Sequence, residues 1–155
     1  MKSAVVFCAV AGFFTSCTIA VGLAALLTDF WSHQPNLANL GLFRFCFQLL
    51  ISTCTEYRVL VNKVAFIVLI VGLSIIFVST ILFMIGFSIN KKWLRVVSIV
   101  FYTFGVLCMF APPVVFTVLS GLLPVTGPWG YSYILSWVGG GTSLLGFIFY
   151  IVTDV

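Results

Sequence analysis

Three long stretches without a charged residue constrain the fold of this chain most strongly. They cover residues 3–28, 64–90 and 96–153, which are 26, 27 and 58 residues long. A membrane-spanning helix needs about 20 consecutive apolar residues, so the first two stretches accommodate one helix each and the third accommodates two. Only 6% of the 155 residues are charged, against about 25% in soluble domains. The sequence excludes a soluble globule and predicts a single all-α membrane domain over residues 1–155. Its four predicted helices lie near residues 4–27, 64–87, 96–122 and 132–152.

The basic residues near the helix ends predict the orientation of the four spans. Both termini share one side, where Lys2 joins a short loop that carries Lys91, Lys92 and Arg95. The positive-inside rule makes this side cytoplasmic. The opposite loop, residues 28–63, carries three basic residues, so its cysteine pair supplies a second argument, because disulfides need an oxidising compartment. We expect cytoplasmic N and C termini, an extracellular loop 28–63 and a plasma-membrane location. Basic residues scattered over loops argue against nucleic-acid binding.

The extracellular loop has the alternation of a β-strand between residues 41 and 54. Apolar residues at every second position share one face of a strand, and here that face needs cover from the helix ends, the membrane or a partner protein. The candidate partner-facing residues are Phe43, Phe45, Phe47 and Leu49. Cys46 and Cys54 form an isolated even pair, which is most simply a structural disulfide.

Small residues at four-residue spacing predict where the helices approach one another. Helices in lipid associate through close backbone approach rather than through hydrophobic burial. We expect these stripes to pack within the bundle, and contact between copies of the chain stays an open alternative. The residues are Gly12, Ser16, Ala20 and Ala24 in helix 1 and Gly139 and Gly140 in helix 4.

Two consecutive prolines, Pro112 and Pro113, lie inside helix 3. They remove two backbone donors, which predicts a bend or a local unwinding of the helix. A static bend is favoured over a functional hinge.

The predicted helices lack the groups that carry chemistry in membranes. None contains a carboxylate, a histidine or a basic residue, which argues against proton-coupled transport, and we expect no polar stripe that lines an aqueous path. His33 has no partner at metal-ligand spacing. The five cysteines include no Cys-x-x-Cys exchange pair. The expectation is a protein without enzyme activity, metal or cofactor.

Two further signals are kept as open alternatives. Cys8 lies near the inner membrane face, where S-palmitoylation occurs. Thr153 and Val155 fit a PDZ ligand that adds as a strand to a sheet edge, although helix 4 leaves almost no tail to reach a groove.

Trp31, Gly41, Leu42 and the pair Cys46 and Cys54 resemble the signature of the claudin superfamily. That signature is a tryptophan after helix 1, then Gly-Leu-Trp, two residues, a cysteine and a second cysteine further on. Phe43 stands where tryptophan is usual, which keeps an aromatic body and loses the indole donor. The helix exit that begins at Thr28, together with the short loops, is similar to the branch of peripheral myelin protein, epithelial membrane proteins and lens fibre intrinsic protein.

The resemblance implies a left-handed four-helix bundle under a small, disulfide-bonded extracellular antiparallel sheet. It also implies a non-enzymatic membrane protein that acts through contact, organising membrane or cell–cell contacts at a cell junction. The implied partners are membrane lipid and other membrane proteins or a second copy. The alternatives are an auxiliary subunit of an ion channel or receptor, a paracellular barrier former and a small pore.

Overall fold

Four α-helices contain most of the described residues in the computed structural model of the chain. The structure describes residues 2–28, 32–34, 38–40, 44–47, 53–56, 60–122 and 130–154, and side chains within 4–28, 64–118 and 130–153. The helices are α1 (Lys2–Leu27), α2 (Leu60–Ser88), α3 (Lys92–Leu122) and α4 (Tyr131–Asp154). Each contains a segment that is long and apolar enough to cross a membrane. The chain is therefore a multi-pass membrane protein with four candidate spans.

Each helix begins before the boundary predicted from the sequence. The largest differences are at α2, which begins at Leu60 rather than Val64, and at α3, which begins at Lys92 rather than Val96. Charged residues limit the part of a helix that lies in hydrocarbon, but they do not end the helix, because a helix satisfies its own backbone hydrogen bonds in water as well. The charge boundaries therefore located the membrane segments and not the helix ends.

Three residues, 89–91, connect α2 to α3 and cap the end of α2. This connection is shorter than the loop of about eight residues expected from the sequence. Asn90 has a left-handed backbone with φ of 54°. The Lys91 N–H donates to the Gly86 carbonyl at 2.9 Å, and the Asn90 N–H donates to the Phe87 carbonyl at 3.3 Å. This is the Schellman pattern, in which asparagine is accepted at the left-handed position. It reverses the chain and places α2 beside α3.

The helices pack as two close pairs, α1 with α4 and α2 with α3, and α3 also packs on α4. Most buried positions of each helix follow alternating spacings of three and four residues, which is the 3.5-residue period of coiled-coil packing. In α2 these are Ala65, Leu69, Gly72, Ile76, Ser79, Phe83 and Gly86, and in α3 they are Ser98, Tyr102, Gly105, Met109, Pro112 and Phe116.

Two glycines define the closest approach of α2 to α3. A Cβ atom added at Gly72 would lie 2.8 Å from the Cys108 Cβ and 3.5 Å from the Gly105 carbonyl oxygen. One added at Gly105 would lie 2.5 Å from the Ile76 Cγ1 and 3.4 Å from the Gly72 carbonyl oxygen. The backbones of these helices meet at a distance that only glycine permits on both sides.

Helix α3 continues through Pro112 and Pro113, so the local unwinding predicted there does not occur. Both prolines are buried. A proline inside a helix leaves the carbonyl four residues before it without its usual donor. One turn further on, the Thr117 hydroxyl donates to the Pro113 carbonyl at 2.7 Å. A bend at this point stays a prediction.

Four short strands lie between α1 and α2 in one antiparallel sheet, with strand order β1-β2-β3-β4. Their bounds are Ser32–Gln34, Ala38–Leu40, Arg44–Phe47 and Thr53–Glu56. Each strand pairs with the next along the chain, as in a meander. The sheet joins the end of α1 to the start of α2.

Candidate interaction site

Helices α1 and α4 are joined by two partly buried pairs of hydroxyl groups. The Thr18 and Thr142 hydroxyls lie 2.9 Å apart, and the Thr28 and Ser132 hydroxyls lie 2.6 Å apart. Thr18 and Ser132 are fully buried. In lipid such interhelical hydrogen bonds stabilise the packing of one span on another. The two pairs hold α1 against α4 near the middle of α1 and at its end.

A third hydroxyl pair connects α1 to α3. The Thr15 and Tyr102 hydroxyls lie 3.1 Å apart, and both residues are buried. Thr15 already donates its hydroxyl hydrogen to the Ala11 carbonyl at 2.9 Å. Because a threonine hydroxyl has one hydrogen and two lone pairs, Tyr102 donates and Thr15 accepts. The Tyr102 ring also contacts the Tyr150 ring edge-on at 5.2 Å, which brings α4 into the same contact.

The sequence interpretation did not predict these hydroxyl pairs, and its expectation that no polar stripe lines an aqueous path stays a prediction. Seven of the buried positions of α4 form a line of small and hydroxyl-bearing residues at the 3.5-residue period. They are Ser132, Ser136, Gly139, Ser143, Gly146, Tyr150 and Thr153. A search for seven-residue rather than four-residue repeats would have found this line in the sequence.

The two glycines predicted for helix packing, Gly139 and Gly140, both face the bundle interior. A Cβ atom at Gly140 would lie 2.8 Å from the Phe110 ring. One at Gly139 would lie 3.3 Å from the Met109 methyl group and 3.8 Å from the Gly22 nitrogen. The pair lets α4 approach α1 with one glycine and α3 with the other.

The predicted small-residue stripe of α1 faces away from the bundle, which corrects its assignment to packing within the chain. Ser16 and Ala20 are exposed, while Gly12 and Ala24 are partly exposed. A Cβ atom at Gly12 would meet nothing within 4 Å. The packed face of α1 carries different residues, namely Cys8, Ala11, Thr15, Thr18, Gly22 and Ala25. The stripe is therefore an outward surface of small residues.

Several predicted loop residues lie in the sheet, and the others lie outside the described residues. Cys46 is the register partner of Cys54 across β3 and β4. Phe45 pairs with Leu40 and Thr55, and Phe47 pairs with Ala38 and Thr53. The predicted residues outside the described ranges are Trp31, Gly41, Leu42, Phe43 and Leu49.

The two alternatives left open by the sequence, S-palmitoylation of Cys8 and a PDZ ligand at Thr153, both require side chains that are buried. Cys8 is only 4% exposed, and its thiol lies 3.4 Å from the Met84 sulfur, so the side chain does not face the lipid as S-palmitoylation requires. Thr153 is 7% exposed and donates its hydroxyl to the Phe149 carbonyl at 2.7 Å. A threonine held in a helix in this way does not present an extended strand to a PDZ groove. Val155 lies outside the described residues.

The charged side chains that the structure describes are three basic residues at the α2–α3 turn, Lys91, Lys92 and Arg95. The described side chains include no acidic residue. Within the same ranges, no group of three or more histidine, cysteine or acidic residues is arranged to hold a metal ion. The chemistry of the described helices is thus that of hydroxyls, aromatic rings and apolar surfaces.

No protein-family model matches the chain, and no curated protein matches it.

Proposed function

We propose that this protein is a non-enzymatic interaction protein of the membrane, which binds a helix of another membrane protein or of a second copy on the outer face of α1. The observation that carries the proposal is the outward stripe of Gly12, Ser16 and Ala20. Small residues at four-residue spacing let the backbones of two membrane helices approach closely, which strengthens their van der Waals packing in lipid.

The interior of the bundle supports the same conclusion. The α1 hydroxyls that face inward are already bonded to α3 and α4, at Thr15, Thr18 and Thr28. Ser16, on the outward face, donates to the Gly12 carbonyl at 2.9 Å, so it presents an oxygen acceptor without an unsatisfied donor. A partner helix with a serine or threonine at its contact face is a suitable donor for this oxygen.

The sheet between α1 and α2 is proposed as a second contact surface, on the extracellular side. Alternate strand positions share a face, so Phe45 and Phe47 belong to one face of β3. Directly opposed residues in an antiparallel pair have Cα atoms about 4.5–5.5 Å apart, which lies within the about 4.4–6.8 Å range of disulfides. The register of Cys46 with Cys54 therefore supports the disulfide.

The orientation and location are part of the proposal. The basic turn at Lys91 and Lys92 favours the cytoplasmic side, which leaves the sheet and its cysteine pair in the oxidising compartment. A plasma-membrane protein that organises membrane or cell–cell contacts fits this arrangement. An auxiliary subunit of a channel or receptor would use the same α1 face, and current recordings with the captured partner separate the two roles.

The test is the mass of the complex extracted from native membranes in polymer-bounded lipid discs. The wild-type chain is expected in a complex with a second membrane protein or a second copy. Gly12→Leu is expected to dissociate it, since a leucine prevents close approach. Gly141→Leu is the matched control, because a Cβ atom there also meets nothing within 4 Å, but it lies on α4. A wild-type chain found only as a monomer, or equal behaviour of the two variants, contradicts the proposal.

A further inference from the structure

A groove on the outer surface of the bundle lies between α2 and α3. It has a volume of about 270 Å³. The lining residues are Ser74, Ile75, Val78, Ser79 and Leu82 of α2 and Phe101 of α3. The two serines do not make it polar, because Ser74 donates to the Ile70 carbonyl at 2.9 Å and Ser79 to the Ile75 carbonyl at 2.6 Å. The groove fits an apolar occupant that needs no hydrogen bond.

The depth of the groove places it within the hydrocarbon of the membrane. From Ser74 to Leu82 the groove extends roughly 12 Å along α2, and Leu82 lies roughly 12 Å from Asn90 at the turn, at 1.5 Å per residue. The hydrocarbon core is about 30 Å thick. A lipid whose headgroup lies at the α2–α3 turn thus reaches the groove with the distal part of one acyl chain.

The turn at that end of the groove carries positive charge. Lys91 and Lys92 are both exposed, and Trp93, beside them, is 74% exposed. None of the side chains in the described ranges is acidic, and α3 has no acidic residue in its first turn. Lysines at a membrane surface attract anionic headgroups, and an exposed tryptophan marks the headgroup level. A lipid phosphate is a suitable counter-charge for this turn.

We propose that the α2–α3 groove and the Lys91–Lys92 turn together form a binding site for an anionic glycerophospholipid. One acyl chain occupies the groove, and the headgroup lies beside the two lysines. The site is on a different surface from the outward stripe of α1, so it does not depend on the proposed partner helix. It requires only that the helices span a membrane.

Native mass spectrometry of the purified full-length chain tests this site. The protein is titrated with phosphatidylserine and, separately, with phosphatidylcholine carrying the same acyl chains. The wild-type chain is expected to retain phosphatidylserine more tightly. Lys91→Gln with Lys92→Gln is expected to weaken that binding by about 30-fold, from the contribution of two surface lysines, and to leave phosphatidylcholine unchanged. Lys91→Arg with Lys92→Arg, which keeps the charge, is expected to bind as the wild type.

A groove-filling variant tests the apolar half of the site. Val78→Phe places a ring in the groove and is expected to reduce retention of both lipids, while Val138→Phe, at a similarly exposed position on α4, is expected to reduce neither. Equal binding of the two lipids by the wild type overturns the proposal. An unchanged affinity for phosphatidylserine in the lysine-to-glutamine variant also overturns the proposal. Equal lipid retention by the two phenylalanine variants overturns it as well, because lipid binding would then depend on surface charge and not on the groove. Since the lysines lie in an exposed turn, their variants remain informative even if Val78→Phe does not fold.

Discussion

Substitution of Gly72 by alanine tests the close approach of α2 and α3 most sharply. The added methyl group would lie 2.8 Å from the Cys108 Cβ and 3.3 Å from the Cys108 carbonyl carbon. Neither atom is the end of a flexible side chain, so the helices themselves must move apart. Overpacking of this kind costs about 1–3 kcal/mol. Alanine also favours a helix over glycine by about 1 kcal/mol, so the net loss for Gly72→Ala is expected between about 0 and 2 kcal/mol.

Matched controls separate the contact from the helix propensity. Gly141→Ala and Gly12→Ala gain the same propensity, and neither added methyl group meets an atom within 4 Å. Both are expected to be as stable as the wild type or more stable. The free energy of unfolding is measured in mixed micelles with increasing dodecyl sulfate, followed by far-ultraviolet circular dichroism. Gly72→Ala should be less stable than Gly141→Ala by about 1–3 kcal/mol. Equal stability of these two variants would refute the close packing of α2 on α3.

Three further predictions concern the hydroxyl pairs and the cysteines. In a double-mutant cycle of Thr18→Val and Thr142→Val, whose hydroxyls lie 2.9 Å apart, the expected coupling is about 0.6 kcal/mol and at most about 1.7 kcal/mol; additive effects would contradict the bond. Intact-mass thiol counting should find Cys46 and Cys54 oxidised, and their joint replacement by serine should cost about 2–3 kcal/mol of stability; free thiols in protein from the cell surface would exclude the disulfide. In folded protein, alkylation of Cys8, which is buried, should be slower than that of the half-buried Cys17 and Cys108; equal rates would contradict its burial.

The four membrane segments were predictable from the charge-free stretches and their lengths, because a charged side chain in hydrocarbon is costly and a span needs about 20 residues. The helix ends were not predictable in the same way. Lys63 and Lys92 lie inside helices, since the cost of charge applies to the membrane and not to helical structure.

The inward faces of the helices were harder to predict, for a geometric reason. Each step of four residues rotates about 40° around a helix of 3.6 residues per turn, so a stripe such as Gly12, Ser16 and Ala20 does not follow a nearly parallel neighbour within the bundle, and it suits a partner helix that crosses at a larger angle. Steps alternating between three and four residues stay on the side of the nearly parallel neighbour. The packed residues Thr15 and Thr18 follow this second pattern, which a search at four-residue spacing does not find.

The loop residues illustrate a different limit of the sequence. The alternation around Phe45 and Phe47 indicated a strand, and the structure has β3 at Arg44–Phe47. This alternation could not indicate which strand lies beside β3, because strand pairing depends on turns and neighbouring strands that no single strand encodes. The register of Cys46 with Cys54 came from the structure alone.

The outer face of α1 as a binding surface for a partner helix is the central claim, and photo-cross-linking in intact cells tests it most directly. A photoreactive residue is placed at Ala20, which is exposed on the stripe, and as a control at Leu145, which is exposed on α4. We expect Ala20 to give one discrete cross-link to a membrane protein or to a second copy, which Gly12→Leu abolishes, and we expect no such product from Leu145. Lipid adducts alone at both positions would contradict the account.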